Sequence, residues 1–377
     1  MPYPSLDAYQ INAPETLLSP GLLVFKELLD HNLDQMISIA GGPNNLCPHC
    51  KTHKMPRIIE QWLQRGVTSH KCATIAEAEM LAGAGVPDVL IAYQLVGPNA
   101  KRMAQLVDRF PETRFASLVD SPQAVSLLSS ALVAHAAGQS MDVLLDLNSG
   151  MNRTGILPGP EAIELYEMIE SVPALQAGGL HWYDGHHRQP DLRDRTIAVE
   201  SGWEQLTRFR NQLMLSGLPI PRVVAAGTGS FPILAAVGEP DLQLSPGTTV
   251  LHDHDMVTRF PELDLYPAQG IATRVISNRR PGFLTLDVGH KACAADQPAG
   301  KRLHFPQLDS FEEHQQSEEH LVLRSEDADK FDLGDLLIAI PTHACPVSAV
   351  HQFAQVIKGG DLVDRWDVTA RDRVLTI

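Results

Sequence analysis

Basic residues are scarce in this chain: 30 Lys and Arg stand against 45 Asp and Glu, a formal net charge of -15. That deficit excludes long-range attraction to nucleic acid or to an anionic membrane surface, so any bound anion must meet a locally built site. Long apolar runs are missing too. The longest clean ones, such as Leu336 to Ile340, fall far short of the ~18 residues that cross a bilayer, so no membrane span is expected. The opening Met-Pro-Tyr-Pro-Ser-Leu-Asp-Ala lacks the basic start and apolar core of a secretory signal, which points to the reducing cytoplasm. Cysteines number only five. The count is odd, and Cys47, Cys50 and Cys72 stand close to other polar residues, so they read as thiols or ligands rather than as disulfides.

What is present suits a soluble enzyme. The 377 residues are 44% apolar and 20% charged, and at roughly 150 residues per domain the length suggests two to three domains. From about Leu46 to Asp253, short strand-like runs alternate with stretches of helical periodicity. The runs are Leu46 to Cys50, Val67 to Ala73, Val89 to Tyr93, Arg114 to Asp120, Met141 to Asn148, Leu175 to Tyr183, Arg222 to Thr228 and Gln243 to His252. The pattern predicts an α/β fold, a (β/α)8 TIM-type barrel over residues 25–255. Alternation alone also fits a doubly wound sheet. The fourth to eighth runs, however, are followed closely by polar, glycine-bearing sequence, as expected where all such loops converge on one mouth.

Beyond His252 the texture turns to shorter strand-like pieces, Ile271 to Ile276, Gly282 to Asp287, Glu319 to Leu323 and Leu336 to Ile340. They predict a second, β-rich domain made of residues 1–24 and 256–377. Thr16-Leu17-Leu18 is expected to add a strand to it, and Gln297 to Glu319 is expected to be an exposed excursion.

Three clusters carry chemistry. The first is Cys47-Pro48-His49-Cys50-Lys51-Thr52-His53-Lys54, where Pro48 takes the chain out of the sheet. Cys47 and Cys50 admit a metal or redox reading with His49 and His53, but no second ligand pair of like spacing follows. Alternatively a lysine is the chemical group, since an amine desolvated inside a barrel loses proton affinity and attacks an aldehyde cofactor. Lys51 and Lys54 also fit ordinary surface lysines opening a helix. The second cluster is Gly227-Thr228-Gly229-Ser230 with Ser245-Pro246-Gly247-Thr248, at the seventh and eighth strands, where barrels build phosphate sites from backbone N–H groups and hydroxyls. Either loop alone reads as a tight turn; together, in an acidic protein, they suggest a cradle. The third is Pro341-Thr342-His343-Ala344-Cys345-Pro346. In an extended segment His343 and Cys345 point to one side and can share a zinc ion, though a buried thiol beside a packed imidazole is the commoner arrangement.

Pro48-His49-Cys50-Lys51-Thr52-His53-Lys54 resembles the Pro-His-x-Lys-Thr-His-Lys signature of the fold-type III pyridoxal-phosphate enzymes acting on D-3-hydroxy amino acids, the D-threonine aldolase and D-serine dehydratase family. Asp146-Leu147-Asn148-Ser149-Gly150-Met151-Asn152-Arg153-Thr154-Gly155, Tyr183-Asp184-Gly185-His186 and His343-Ala344-Cys345-Pro346 follow in that family's order, so the resemblance covers nearly the whole chain. It implies an alanine racemase-like barrel with a β-domain, pyridoxal 5'-phosphate on Lys51, and a divalent metal, zinc foremost with manganese or magnesium as alternatives, at His343 and Cys345. Thr228, Gly229, Ser230, Gly247 and Thr248 match the phosphate loops, His49 and Arg153 lie in cofactor-binding motifs, and Tyr183 is similar to the tyrosine facing the pyridine nitrogen. The sequence departs at Cys47, where the family has arginine.

The activity so implied is a lyase on a small D-3-hydroxy amino acid. If Lys51 takes the α-proton and hydroxide leaves the β-carbon, the products are a keto acid and ammonia, as in D-serine dehydratase. If His186 or His187 removes the β-hydroxyl proton, the Cα–Cβ bond breaks to glycine and an aldehyde, as in D-threonine aldolase. Within the resemblance a His-x-Cys pair goes with dehydration, the expected branch. An amino-acid racemase, a non-enzymatic pyridoxal-phosphate carrier and a structural zinc module on Cys47 and Cys50 are the rivals. Head-to-tail homodimers are the assembly the resemblance implies.

Overall fold

In the computed structural model, which describes residues 3–136 and 138–377, the chain opens on strand β1 (Gly21–Phe25) and helix α1 (Lys26–Ala40). It then builds one unit of residues 37–51, 56–247 and 372–377. Seven strands follow: β2 (Ser69–Cys72), β3 (Asp88–Gln94), β4 (Arg114–Val119), β5 (Met141–Leu147), β6 (Leu175–Trp182), β7 (Val223–Ala225) and β8 (Leu242–Leu244). They lie side by side in that order, all parallel.

Residues 46–49 join the two edges. Leu46 bridges Leu244 and His49 bridges Lys71, both parallel. Cys47 N–H donates to Leu244 C=O at 2.8 Å and His49 N–H to Pro246 C=O at 3.1 Å, while Pro48 C=O accepts from Lys71 N–H at 3.0 Å. The sheet is thereby closed into the barrel. The expected first strand is reduced to these bridges because Pro48 has no N–H to give the neighbouring strand. Inside, Cys47, Leu90, Ala116, Leu118, Leu144 and Val224 form a buried cluster, the packed interior such barrels require.

Helices α2 (Pro56–Gln64), α3 (Ile75–Gly83), α4 (Pro98–Arg109), α5 (Pro122–His135), α6 (Pro160–Ser171), α7 (Leu192–Leu215) and α8 (Phe231–Ala235) alternate with the strands. Their starts are written locally. Proline opens α2, α4, α5 and α6, where a missing N–H costs nothing. The side chains of Thr74, Ser121 and Asp191 cap α3, α5 and α7 by accepting from Glu77, Ala124 and Asp194 N–H. The eighth run differs from expectation: β8 ends at Leu244, and Ser245-Pro246-Gly247 turn the chain into a 3-10 segment, Thr248–Val250.

The other unit holds residues 1–36, 52–55 and 248–371. The chain therefore changes unit after Met36, Lys51, Met55, Gly247 and Arg371. After α9 (His254–Arg259) come β9 (Gln269–Ser277), β10 (Phe283–Leu286), α10 (His290–Cys293), β11 (Leu303–His304), β12 (Glu312–Gln316), β13 (Leu321–Arg324), β14 (Leu336–Pro341), α11 (Ala344–Val350), β15 (Phe353–Lys358) and β16 (Asp361–Asp367). The sheet runs β12-β13-β10-β9-β1-β15-β16, with β14 pairing both β9 and β11. Its N-terminal strand is the fully buried β1 rather than Thr16-Leu17-Leu18, since Pro14–Thr16 form a 3-10 turn. The charged segment 297–319 is not a plain excursion: β12 pairs antiparallel with β13 at the sheet edge, and its largely exposed side chains explain its polarity. Among the described residues no helix is long and apolar enough to cross a membrane, and no disulfide joins any of the five cysteines.

Candidate functional site

Lys51 lies in a 3-10 turn, Cys50–Thr52, at the exit of the bridging segment, and is half-buried. Its N–H donates to His49 Nδ1 at 3.2 Å, which ties the histidine to the turn. Lys54 takes a left-handed backbone, φ 57°, and directs its amine to Ala370 C=O at 3.4 Å in the β-rich unit, whereas Lys51 belongs to the barrel unit. His49, Cys50 and Glu77 bring one donor atom each within 4.8 Å of one another, all buried. Glu77 already accepts from Ala73 N–H at 2.7 Å. Cys47 is different: it packs in the apolar barrel cluster, and burial pushes its thiol up to about 12, with Asp88 adding to the shift. It is a neutral core side chain, unsuited to a Cys47–Cys50 thiolate pair.

The loops after β5 and β6 interlock. Asn148 Oδ1 accepts from the N–H groups of Gly150 and Asn152 at 3.0 and 3.1 Å, and Ser149 Oγ donates to Tyr183 C=O at 2.6 Å. Gly155 N–H reaches Asp120 Oδ2 at 3.1 Å. This fold-back carries Arg153 to the face of Tyr183, 4.8 Å from the ring centre. Tyr183 lies over glycine: a Cβ on Gly185 would sit 2.3 Å from its hydroxyl, and one on Gly227 would sit 3.1 Å from Gly185 Cα. His186 is exposed and His187 half-buried, with ring centres 4.1 Å apart. Burial lowers the His187 pKa; Asp184 opposes this and His186 adds to it.

Asp184 governs the loop after β7. Its buried Oδ1 accepts from Gly227 N–H at 3.0 Å and from Ser230 Oγ at 2.6 Å. Desolvation raises its pKa while these two donors resist. Ser230, expected among the phosphate contacts, thus has its hydroxyl engaged within the loop. Arg195, fully buried, donates from Nε to Gly229 C=O at 3.0 Å and from Nη1 to Gln189 C=O at 2.6 Å. With Gly229 C=O drawn toward Arg195, the N–H groups of Thr228, Gly229 and Gly247 meet no protein acceptor among the described residues. Such a row of donors matches an anionic phosphate, so the loops fit the phosphate end of pyridoxal phosphate.

In the β-rich unit, His343 keeps extended backbone as the residue before α11, but Cys345 is already helical, so the expected extended His-x-Cys segment is instead a strand-to-helix turn. The two side chains still meet. His343 is raised to about 9: burial pulls it down, and hydrogen bonding and charge from Cys345, with Asp296, outweigh that. Asp296 Oδ2 lies 2.6 Å from His343 Nδ1. Thr52 Oγ1 and Thr248 Oγ1 stand 3.2 and 3.7 Å from Cys345 Sγ, which places Thr248 beside the thiol. An imidazole steadied by a carboxylate and facing a thiol is a donor set that fits zinc.

Sequence reading missed Asp184 as the side chain that holds the candidate phosphate loop, Arg195 behind it, and Lys71. Asp184 stood in a motif already singled out; Lys71 was visible only as a charge inside a predicted barrel strand.

The family model for the alanine racemase N-terminal domain matches residues 26–244, and that for a putative serine dehydratase domain matches 268–357. The chain is 27% identical to a D-threonine aldolase of an Arthrobacter species over 336 residues, 86% of this chain and 85% of that one. It is 22% identical over 380 residues to the D-threo-3-hydroxyaspartate dehydratase of Delftia sp. strain HT23, 93% of this chain and 97% of that one; a cysteine-to-alanine variant of a D-threo-3-hydroxyaspartate dehydratase has been solved in a metal-free form. The structure of D-threonine aldolase from Filomicrobium marinum superposes with a TM-score of 0.87 at 29% identity, covering 95% of this chain and 96% of that one. By fold, site and sequence, the chain belongs to the alanine racemase N-terminal domain family, within the fold-type III pyridoxal-phosphate enzymes.

Proposed function

We infer that this chain, a pyridoxal-phosphate-dependent lyase, acts on D-3-hydroxy amino acids by dehydration, as a D-serine dehydratase-like enzyme. The observation that carries the choice of reaction is the His343–Cys345 donor pair with Asp296 on its imidazole. The metal-free cysteine variant of a D-threo-3-hydroxyaspartate dehydratase lends support, and so does the putative serine dehydratase domain matched at 268–357.

When bound, pyridoxal phosphate supplies an electron sink for the α-carbon and zinc supplies a Lewis acid for the β-oxygen. The chain does the rest. Lys51 would hold the cofactor through its amine and, once the substrate amine has displaced it, take the α-proton onto Nζ. The N–H groups of Thr228, Gly229 and Gly247 would bind the phosphate, with Asp184 and Arg195 holding the loop in shape. Tyr183 would face the pyridine nitrogen under the Arg153 guanidinium. His343 and Cys345 would hold the metal. The β-hydroxyl would leave as water on the proton returned by the Lys51 ammonium, and the released enamine would hydrolyse to a keto acid and ammonia.

The second reading, retro-aldol cleavage to glycine and an aldehyde, is favoured by His187, whose lowered pKa keeps it neutral and able to accept the β-hydroxyl proton, and by the aldolase relatives. In either case the reading assigns the cofactor to residues 25–255 and the metal to the remainder, in a cytoplasmic homodimer.

Holo-protein is incubated with D-serine, D-threonine and D-threo-3-hydroxyaspartate, with zinc and with chelator. Keto acid and ammonia that disappear with chelator are expected; glycine plus aldehyde would give the reaction to the second reading. Borohydride reduction and peptide mapping should place the pyridoxyl group on Lys51, and a modified Lys54 would overturn that assignment.

A further inference from the structure

Two hydroxyls converge on the sulfur of Cys345. Thr52 Oγ1 lies 3.2 Å from Sγ and Thr248 Oγ1 lies 3.7 Å from it. Neither hydroxyl has another hydrogen-bond partner among the described residues. Threonine at a helical turn ordinarily returns its hydroxyl to a carbonyl three or four residues back. Thr52 closes the 3-10 turn Cys50–Thr52 and is fully buried, so its hydroxyl depends on that sulfur alone.

The backbones that carry these groups are fixed independently. Lys54 C=O accepts from Ala370 N–H at 3.2 Å and its ammonium donates to Ala370 C=O at 3.4 Å, which ties residues 52–55 into the β-rich unit. Thr248 opens the 3-10 segment Thr248–Val250, and its C=O takes His252 N–H at 2.7 Å. Ala344 N–H donates to the buried Asp253 Oδ2 at 3.0 Å, and Cys345 follows in the first turn of α11. The other oxygen of that carboxylate caps α9 by taking Met256 N–H at 3.0 Å. Three separate stretches of one unit are thus pinned so that two hydroxyls face one sulfur. Valine has the shape of threonine without the hydroxyl, so packing alone does not call for threonine at position 52.

A cysteine that ligates zinc does so as its thiolate, which has no proton to give. The hydroxyls are then the donors and the sulfur the acceptor. Hydrogen bonds draw electron density off a metal-bound sulfur, and they are one of the levers by which a protein tunes its metal. We propose that Thr52, with Thr248 as a second and longer contact, donates to the Cys345 thiolate and so limits the charge that this ligand passes to the metal. The assignment rests on the reading of His343 and Cys345 as metal ligands and adds two positioning residues to it. Its effect has a direction: a metal that receives less charge from sulfur keeps more for the β-oxygen it has to polarise. Asp296 makes the imidazole a better donor while Thr52 makes the thiolate a weaker one, so both ligands are adjusted from behind.

Full-length wild type, Thr52→Val, Thr52→Ser and Thr248→Val are loaded with cobalt(II) in place of zinc, with Cys345→Ala as the control. Cobalt bound by a thiolate gives a near-ultraviolet charge-transfer band whose energy reports how firmly the sulfur holds its electrons. Zinc affinity is measured by chelator competition, and the metal-free proteins are melted in parallel. The expected result for Thr52→Val is a band moved to lower energy and a zinc affinity weakened about tenfold, with a metal-free melting temperature near that of wild type. Thr52→Ser should keep the wild-type band, and Thr248→Val should move it in the same direction by less. An unmoved band in cobalt-loaded Thr52→Val, with the band lost in Cys345→Ala, overturns the role of Thr52 and leaves the metal reading standing. A shift in Thr52→Ser equal to that in Thr52→Val also overturns it, by tracing the effect to volume. Where Thr52→Val yields no folded protein, Thr248→Val carries the test, and an unmoved band there overturns the proposal. A wild-type band that survives Cys345→Ala would sink the metal reading itself.

Discussion

Asp184 and Ser230 share a buried hydrogen bond of 2.6 Å, and through it the loop after β6 sets the loop after β7. The same carboxylate oxygen takes Gly227 N–H at 3.0 Å, so one side chain holds both ends of the turn proposed to bind the phosphate. Asp184→Asn keeps the volume but removes the charge that both donors address. A hydrogen bond to a charged acceptor contributes about 1.5–3 kcal/mol, so the affinity for pyridoxal phosphate is expected to fall roughly 10- to 100-fold. Ser230→Ala should show a smaller loss in the same direction. Equilibrium titration of apo-protein with cofactor checks both, and an unaltered dissociation constant in Asp184→Asn would separate this loop from the phosphate.

Gly185 is constrained by its neighbour two residues back. A methyl group there would lie 2.3 Å from the Tyr183 hydroxyl and 2.5 Å from the ring carbon that bears it. The ring can swing, so Gly185→Ala should fold, with a stability change within about 1 kcal/mol of the usual range for small-to-large replacements, but Tyr183 must leave its place under Arg153. The expected signature is a changed visible spectrum of the holo-protein and lower turnover at near-normal melting temperature. Normal spectrum and turnover would show that the position of Tyr183 is immaterial to the cofactor.

These residues also mark what could be read in advance. The barrel was legible because β2 to β7 are bounded by turn residues and the helices by proline and capping side chains, all of which act within a few positions of the chain. The extents of the first and eighth strands were not, because Pro48 and Pro246 cut them short and the closure depends on pairing between residues nearly 200 positions apart, as Leu46 with Leu244. The strand β1 was misplaced for a similar reason: its register is set by β9 and β15, far along the chain. At the site, motifs identified segments, but which side chain supports which needed the fold. Asp184 on Ser230, Arg195 on Gly229 and Asp296 on His343 all join separate elements.

On β2 the residue beside Lys71 has its pKa lowered by burial as well. His70 is fully buried and meets Trp62 of α2 with ring centres 6.5 Å apart, and burial lowers its pKa to about 4. An unfolded histidine has a pKa near 6.5. Above that value neither state binds the proton, so stability is unaffected. As pH falls from about 6.5 to about 4, the unfolded chain takes up a proton that the folded chain refuses, and stability drops by about 3 kcal/mol. His70→Gln cannot titrate, so its stability should be flatter with pH across that window. Urea unfolding at several pH values compares the slopes, and parallel curves for wild type and variant would refute the assignment.

The contact between Asp296 and His343 bears on the metal. Asp296 Oδ2 at 2.6 Å from Nδ1 fixes the imidazole in orientation and holds the proton on that nitrogen, which leaves the other free to donate its lone pair. Carboxylates in this position typically affect metal affinity by about 10- to 100-fold. Asp296→Asn should therefore weaken zinc binding by that range while the fold is kept, because the side chain is about one-third exposed. His343→Ala and Cys345→Ala should abolish zinc binding at this position, and in each variant the rate of keto-acid formation should fall with zinc occupancy and, for Asp296→Asn, recover at higher zinc. Competition with a chromogenic chelator measures the affinity directly. Full zinc occupancy in Cys345→Ala would move the metal elsewhere, with His49, Cys50 and Glu77 the donor set to examine next.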